Sequence, residues 1–172
     1  MHPEKSPGAD GFNAGFFQKI WSLLAAHVTE AVQHFFSTGK LLKGCKPHLC
    51  YFNPKFTNAS HFNDFRPISC CNVQYELITK VLSNRLKVVA GELVSPHQYA
   101  FLEGRQINDC SLRLISKKAF HSLNREFIYF IMNYMRSPPT WISWIKECLS
   151  TPTFSMMVND YPSLDSLEAI EE

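Results

Sequence analysis

From Phe12 to Phe35 the apolar residues Phe12, Phe16, Ile20, Leu24, Val28, Ala31 and Phe35 recur every three or four positions. That period is the stripe of one helix face, so it predicts a helix over 12–36. Ser37-Thr38-Gly39 ends it, with Gly39 suited to the left-handed terminal conformation. The period disappears over 48–71, where HLCYF and RPISCC read as two strands around the polar connection NPKFTNASHFND. Helical spacing returns over 74–90 through Leu77, Ile78, Val81, Leu82, Leu86 and Val89, and Gly91 is expected to close that helix. SPHQYAFLEGRQIND follows as a polar loop with an apolar centre. Two more helices are predicted, over 123–135 and 140–149, the second opened by Pro138-Pro139-Thr140. TFSMMV (153–158) reads as a strand with a turn at Asn159-Asp160, and no second apolar run follows to pair with it. An unpaired last strand points to truncation.

Composition narrows the class. A chain of 172 residues is one domain's worth, or a piece of a larger one. At 45% hydrophobic and 19% charged it can build a core. The net charge of +2 conceals an uneven distribution. Residues 40–118 carry twelve Lys/Arg against five acids, whereas 160–172 carry five acids and no Lys/Arg. MHPEKSPGAD lacks the apolar run of a signal peptide, and no stretch reaches about 18 apolar residues, so neither export nor a membrane is expected. The chain is expected inside the cell, in a compartment the residues do not specify.

Six cysteines are too few for a disulfide scaffold and read as reduced thiols. Cys45, His48, Cys50 and His61, with Cys70 and Cys71, invite a zinc reading, but their spacing matches neither paired knuckles nor a finger. No phosphate-cradling glycine loop, nucleophile elbow or H-E-x-x-H occurs. Two-metal phosphoryl or nucleotidyl transfer needs converging carboxylates. Outside the tail the acids stand singly, and no D-D or D-x-D pair occurs.

Several ordered blocks nevertheless resemble a known family. KSPGADGF, NDFRPISCCNVQYELITKVLSNRLK and SPHQYAFLEGRQIND resemble the N-terminal part of a reverse transcriptase, of the LINE-type (non-LTR) retrotransposons of plants. KAFHSLNREFIYFIMNYMRSPPTWISWIKECLSTPTFSMMVN is similar to the stretch after the first metal-binding aspartate of such enzymes. The resemblance implies an α+β, helix-rich fold, with the fingers subdomain and an incomplete palm of a right-hand polymerase. Its expected divisions are a lead-in over 1–11, fingers over 12–114, a partial palm over 115–159 and an acidic tail outside the family over 160–172. The two strands at 48–71 would be the fingertip hairpin over the incoming nucleotide. Lys55 and Arg66 match its lysine and arginine, the groups that contact the triphosphate in relatives, and their chemistry suits phosphate oxygens. For Arg66 the alternative is a structural pairing with Asp64 or a backbone carbonyl. Lys80, Arg85, Lys87 and Arg105 are candidate contacts to a template or primer backbone, with a solvated helix face as the alternative for the first three.

The chain departs from the family where catalysis resides. The metal-binding Asp belongs five residues before Phe120, where Ile115 stands, and the acid expected directly after that Phe is His121. Isoleucine has no ligand atom, and imidazole suits softer metals than the family's Mg2+. The family's later blocks are not found after Asn159, and Asp160 and Asp165 do not form its paired-acid motif. No bound cofactor is therefore expected. A palm without its central strands should leave the C-terminal half loose, or helical without its sheet, with Trp141, Trp144, Ile145 and Phe154 exposed or covering one another imperfectly.

These observations lead to a truncated, degenerate reverse-transcriptase-like polypeptide without polymerase activity. Two other readings stay open. One is a nucleic-acid-binding remnant that holds RNA or an RNA/DNA duplex through its backbone phosphates. The other is a helical interaction module using aromatics near 127–154. The residues do not specify an oligomeric state.

Overall fold

The computed structural model describes residues 1–94, 124–158 and 161–168. The predicted first helix is two: α1 (Ala14–Lys19) and α2 (Trp21–Thr38). Asn13 caps α1 by accepting the Phe16 N–H through Oδ1 at 2.9 Å. The break falls at Ile20, where neither proline nor glycine stands, and its effect is tertiary: Phe17 and Val28 cluster against Val73. Phe12 and Phe16, expected on the buried stripe, are exposed instead, because Phe17 turns inward. Gly39 ends α2 in the left-handed conformation (φ 70°), and its N–H closes on the Phe35 carbonyl at 2.7 Å.

A short 3-10 turn at Lys43–Cys45 leads into β1 (Pro47–Pro54) and β2 (Phe65–Cys70), an antiparallel ribbon at the predicted place. Helix α3 (Val73–Leu93) continues through Gly91 rather than stopping there. A helical glycine costs only about 0.5–1 kcal/mol relative to alanine, too little to end a helix otherwise well formed. Helices α4 (Arg125–Tyr134) and α5 (Pro139–Ser150) match the predicted pair, with Pro139 at the first turn of α5. Strands β3 (Thr153–Val158) and β4 (Tyr161–Glu168) follow.

Among the described residues the strands form one sheet in the order β2-β1-β3-β4. β3 lies parallel to β1, with His48 opposite Phe154, and the Thr153 N–H reaches the Lys46 carbonyl at 3.0 Å. The expectation that β3 lacks a partner on its C-terminal side is corrected, because β4 pairs with it antiparallel from within the acidic tail. Pairing is satisfied by backbone N–H and C=O groups and needs no apolar run. Pro162 on β4 and Pro67 on β2 both lie on edge strands, where a missing N–H is tolerated.

The expected loose C-terminal half is corrected as well. The main core gathers Phe35 of α2, Leu41, Cys45, Ile78 and Leu82 of α3, and Cys148 of α5. Trp141, Trp144 and Ile145 pack against it half-buried, with Trp144 edge-on to Phe36 at 5.0 Å. Phe154 meets the His48 ring at 5.3 Å. Helix α5 thus covers its apolar face against α2 and α3, partners that a palm-centred expectation overlooks. Glu147 reinforces the contact by accepting the Leu41 N–H at 3.0 Å and pairing with Lys46 at 3.8 Å.

Candidate nucleic-acid interface

The β1–β2 ribbon places the two hairpin cations. Its register sets Asn53 opposite Arg66, Tyr51 opposite Ile68, and Phe52 opposite Pro67. Strand alternation therefore puts Arg66, Asn53, Tyr51 and Ile68 on one face, and Phe52, Pro54, Phe65 and Pro67 on the other. The Arg66 guanidinium is exposed and makes no hydrogen bond or ion pair with any described residue. The alternative pairing with Asp64 is not formed. The Asp64 carboxylate instead accepts the backbone N–H groups of Ser60 at 3.2 Å and His61 at 3.0 Å.

The tip is a compact turn. The Lys55 N–H donates to the Asp64 carbonyl at 2.8 Å, one rung beyond the ribbon. The Lys55 ammonium donates to the Asn63 carbonyl. Phe62–Asp64 form a 3-10 turn, with His61 and Asp64 in a reciprocal capping arrangement. Phe62 in that turn is 72% exposed and leans on Phe52, ring centroids 5.3 Å apart; Phe56 in the same connection is 53% exposed. Sequence reasoning treated this connection as polar and passed over both rings. The available signal was two phenylalanines outside any period, between Lys55 and Arg66.

The cations of α3 do not form one surface. Lys80 and Lys87 are exposed and seven residues apart, so about 20° separates them around the helix axis. Arg85 stands about 140° from Lys80 by the same geometry. Its guanidinium lies over the Phe36 ring at 5.1 Å, held against α2. Glu76 pairs with Lys5 at 2.7 Å and anchors the N-terminal segment to α3. Arg105, Ile115 and His121 lie outside the described residues.

The zinc-like residues do not converge: among the described residues no three of His, Cys, Asp and Glu gather as a metal site. His48 is buried between Tyr75 and Phe154, its Nε2 has no hydrogen-bond partner among the described residues, and burial pulls its pKa below the ordinary value. Burial raises the thiols of Cys45, Cys50, Cys70 and Cys71, and raises Cys148 to about 12. All five are free, so they act as apolar, protonated core and near-core groups. No described helix is long and apolar enough to cross a membrane.

Residues 54–166, from the end of β1 into β4, match the family model described as reverse transcriptase (RNA-dependent DNA polymerase). The chain is also 24% identical over 178 residues to a Xenopus laevis protein described as transposon TX1 uncharacterized 149 kDa protein. That similarity covers 92% of this chain and 14% of the relative, so the chain spans about a seventh of the relative's length. The match takes in the hairpin cations, α3, α4, α5 and β3, and by its extent the chain belongs to the reverse transcriptase (RNA-dependent DNA polymerase) family.

Proposed function

We propose that this chain is a non-LTR retrotransposon reverse-transcriptase-like polypeptide, of a degenerate plant LINE type, that binds nucleic acid and does not polymerise by itself. One observation carries the binding half: Arg66 extends, exposed and without a side-chain partner among the described residues, from a ribbon whose tip also holds the Lys55 ammonium. An exposed guanidinium and an ammonium on one hairpin are the groups that neutralise phosphate oxygens. The ribbon acts as the fingers hairpin, and β3 belongs to a partial palm. The relative's transposon description supports the retrotransposon origin. Lys80 and Lys87 add a second line of charge along α3, suited to a nucleic-acid backbone rather than to base edges.

The catalytic half rests on donor chemistry. Magnesium takes oxygen ligands, and the two positions where the resemblance expects acids hold Ile115, with no donor atom, and His121, with an imidazole. This donor set does not fit the family's Mg2+, so no metal-dependent step is assigned.

Binding of labelled RNA across a salt series tests the first half. The Lys55→Ala, Arg66→Ala, Lys80→Ala, Lys87→Ala quadruple variant should bind more weakly and with a shallower salt dependence; equal binding sinks the reading. Primer extension on an RNA template with Mg2+ or Mn2+ tests the second. Template-dependent extension that Ile115→Asp fails to improve would overturn it.

A second reading has its own observation. Phe127, Phe130 and Tyr134 are exposed at three- and four-residue spacing along one face of α4. A defined dimer or complex in a solution mass measurement would favour a protein-docking helix.

A further inference from the structure

We propose that the open face of Phe62 is a stacking platform for an unpaired base of single-stranded RNA or DNA, with a neighbouring backbone phosphate at Lys55. This deepens the nucleic-acid reading above and rests on it.

The first support is the ring itself. Phe62 is 72% exposed and touches Phe52, with ring centroids 5.3 Å apart and the ring planes tilted by 55°. Its backbone sits in the 3-10 turn closed by the Asp64 N–H to the His61 carbonyl at 2.8 Å. The Asp64 carboxylate holds Ser60 and His61 from the other direction. A large apolar ring mostly in water, touching a tilted neighbour and carried on a closed backbone turn, offers a face to a stacking base from a backbone that is already ordered.

Charge supplies the second support. The Lys55 ammonium donates to the carbonyl of Asn63, the residue that follows Phe62, so a cation is tied to the same turn as the ring. The carboxylate of Asp64, in the same turn, is already occupied by two backbone N–H groups. An aromatic surface beside a cation matches a nucleotide, which offers a π face and a phosphate together. Phe62 leans along the flank of the ribbon against Phe52, not off its apex, and this favours a stacked base over insertion into a lipid surface.

The ribbon register separates this site from Arg66. Phe52 and Phe62 lie on one face, whereas Arg66 lies on the other with Asn53. The hairpin therefore presents two chemically distinct surfaces, an aromatic flank for a base and a cationic flank for phosphates, with Lys55 at the turn between them.

The test compares single-stranded RNA with the same strand annealed to its complement, using the full chain and fluorescence anisotropy. Phe62→Ala should weaken single-strand binding about 10-fold and leave duplex binding and the salt slope unchanged. Phe62→Trp should restore it, and a fluorescent aminopurine base in the strand should be quenched by wild type and not by Phe62→Ala. Wild-type single-strand affinity in a Phe62→Ala variant of unchanged circular dichroism overturns the proposal. Loss confined to anionic phosphatidylserine vesicles overturns it in favour of a lipid surface. Unaltered binding by Lys55→Ala/Arg66→Ala would instead defeat the underlying phosphate reading, so the two failures are distinguishable.

Discussion

Asn72 donates from Nδ2 to the carbonyl of Gly44 at 2.6 Å, tying the start of α3 to the turn that precedes β1. Its Oδ1 accepts the Asp10 N–H at 3.3 Å, so one buried carboxamide joins the N-terminal segment, the ribbon's base and the longest described helix. A buried amide with its partners removed leaves unsatisfied groups behind, each costing about 1–3 kcal/mol. Asn72→Ala is therefore expected to lower the stability measured by urea unfolding by about 2 kcal/mol or more, without loss of secondary structure at low denaturant.

Gly8 depends on the same junction. A Cβ there would lie 2.3 Å from Asn72 Oδ1 and 2.5 Å from the Cys71 carbonyl carbon, backbone that cannot move aside. Gly44 has open space around its own position. Gly8→Ala should lower the melting temperature clearly, whereas Gly44→Ala should leave it nearly unchanged.

His48 makes stability depend on pH. Its folded pKa lies below the ordinary value of about 6.5 because burial disfavours the charged ring. The unfolded chain then binds the proton more readily, so His48's contribution is intact above about 6.5 and is lost as pH falls below it. His48→Phe keeps a ring against Tyr75 and Phe154 and removes the unpartnered Nε2. Unfolding measured between about pH 7 and 5 should show a shallower stability loss in that variant than in wild type.

Trp144 and Phe127 separate covered from uncovered aromatics. Trp144 packs on Phe36 and the main core, whereas Phe127 is exposed on α4. Trp144→Ala should cost about 2–4 kcal/mol, less than a fully buried tryptophan, and Phe127→Ala about 0.5 kcal/mol or less. Equal effects in chemical denaturation would mean that α5 is not part of the cooperative core.

Arg66→Ala should leave the denaturation midpoint unchanged, since the guanidinium has no partner among the described residues. Its RNA affinity should fall, with the slope of log K against log salt reduced by about 1. A changed midpoint with an unchanged slope would assign Arg66 to the fold instead.

Local pattern determined much of this protein. The ribbon, α3, α4, α5, β3 and the left-handed Gly39 follow from apolar period, strand alternation and terminal residues, all of which act within a few positions. The positions of Lys55 and Arg66 at a hairpin were legible for the same reason. Tertiary structure decided what those signals do not encode. The break at Ile20 and the inward turn of Phe17 depend on where Val28 and Val73 lie. β4 forms because β3 offers it free backbone groups, which leave no mark in the side-chain pattern. Arg85 rests on Phe36 although the family resemblance gave it the same candidate role as Lys80 and Lys87. The opposed faces of Phe62 and Arg66 follow from ribbon register and from a ring contact across the turn, and contacts between residues distant along the chain are selected only when the whole chain packs.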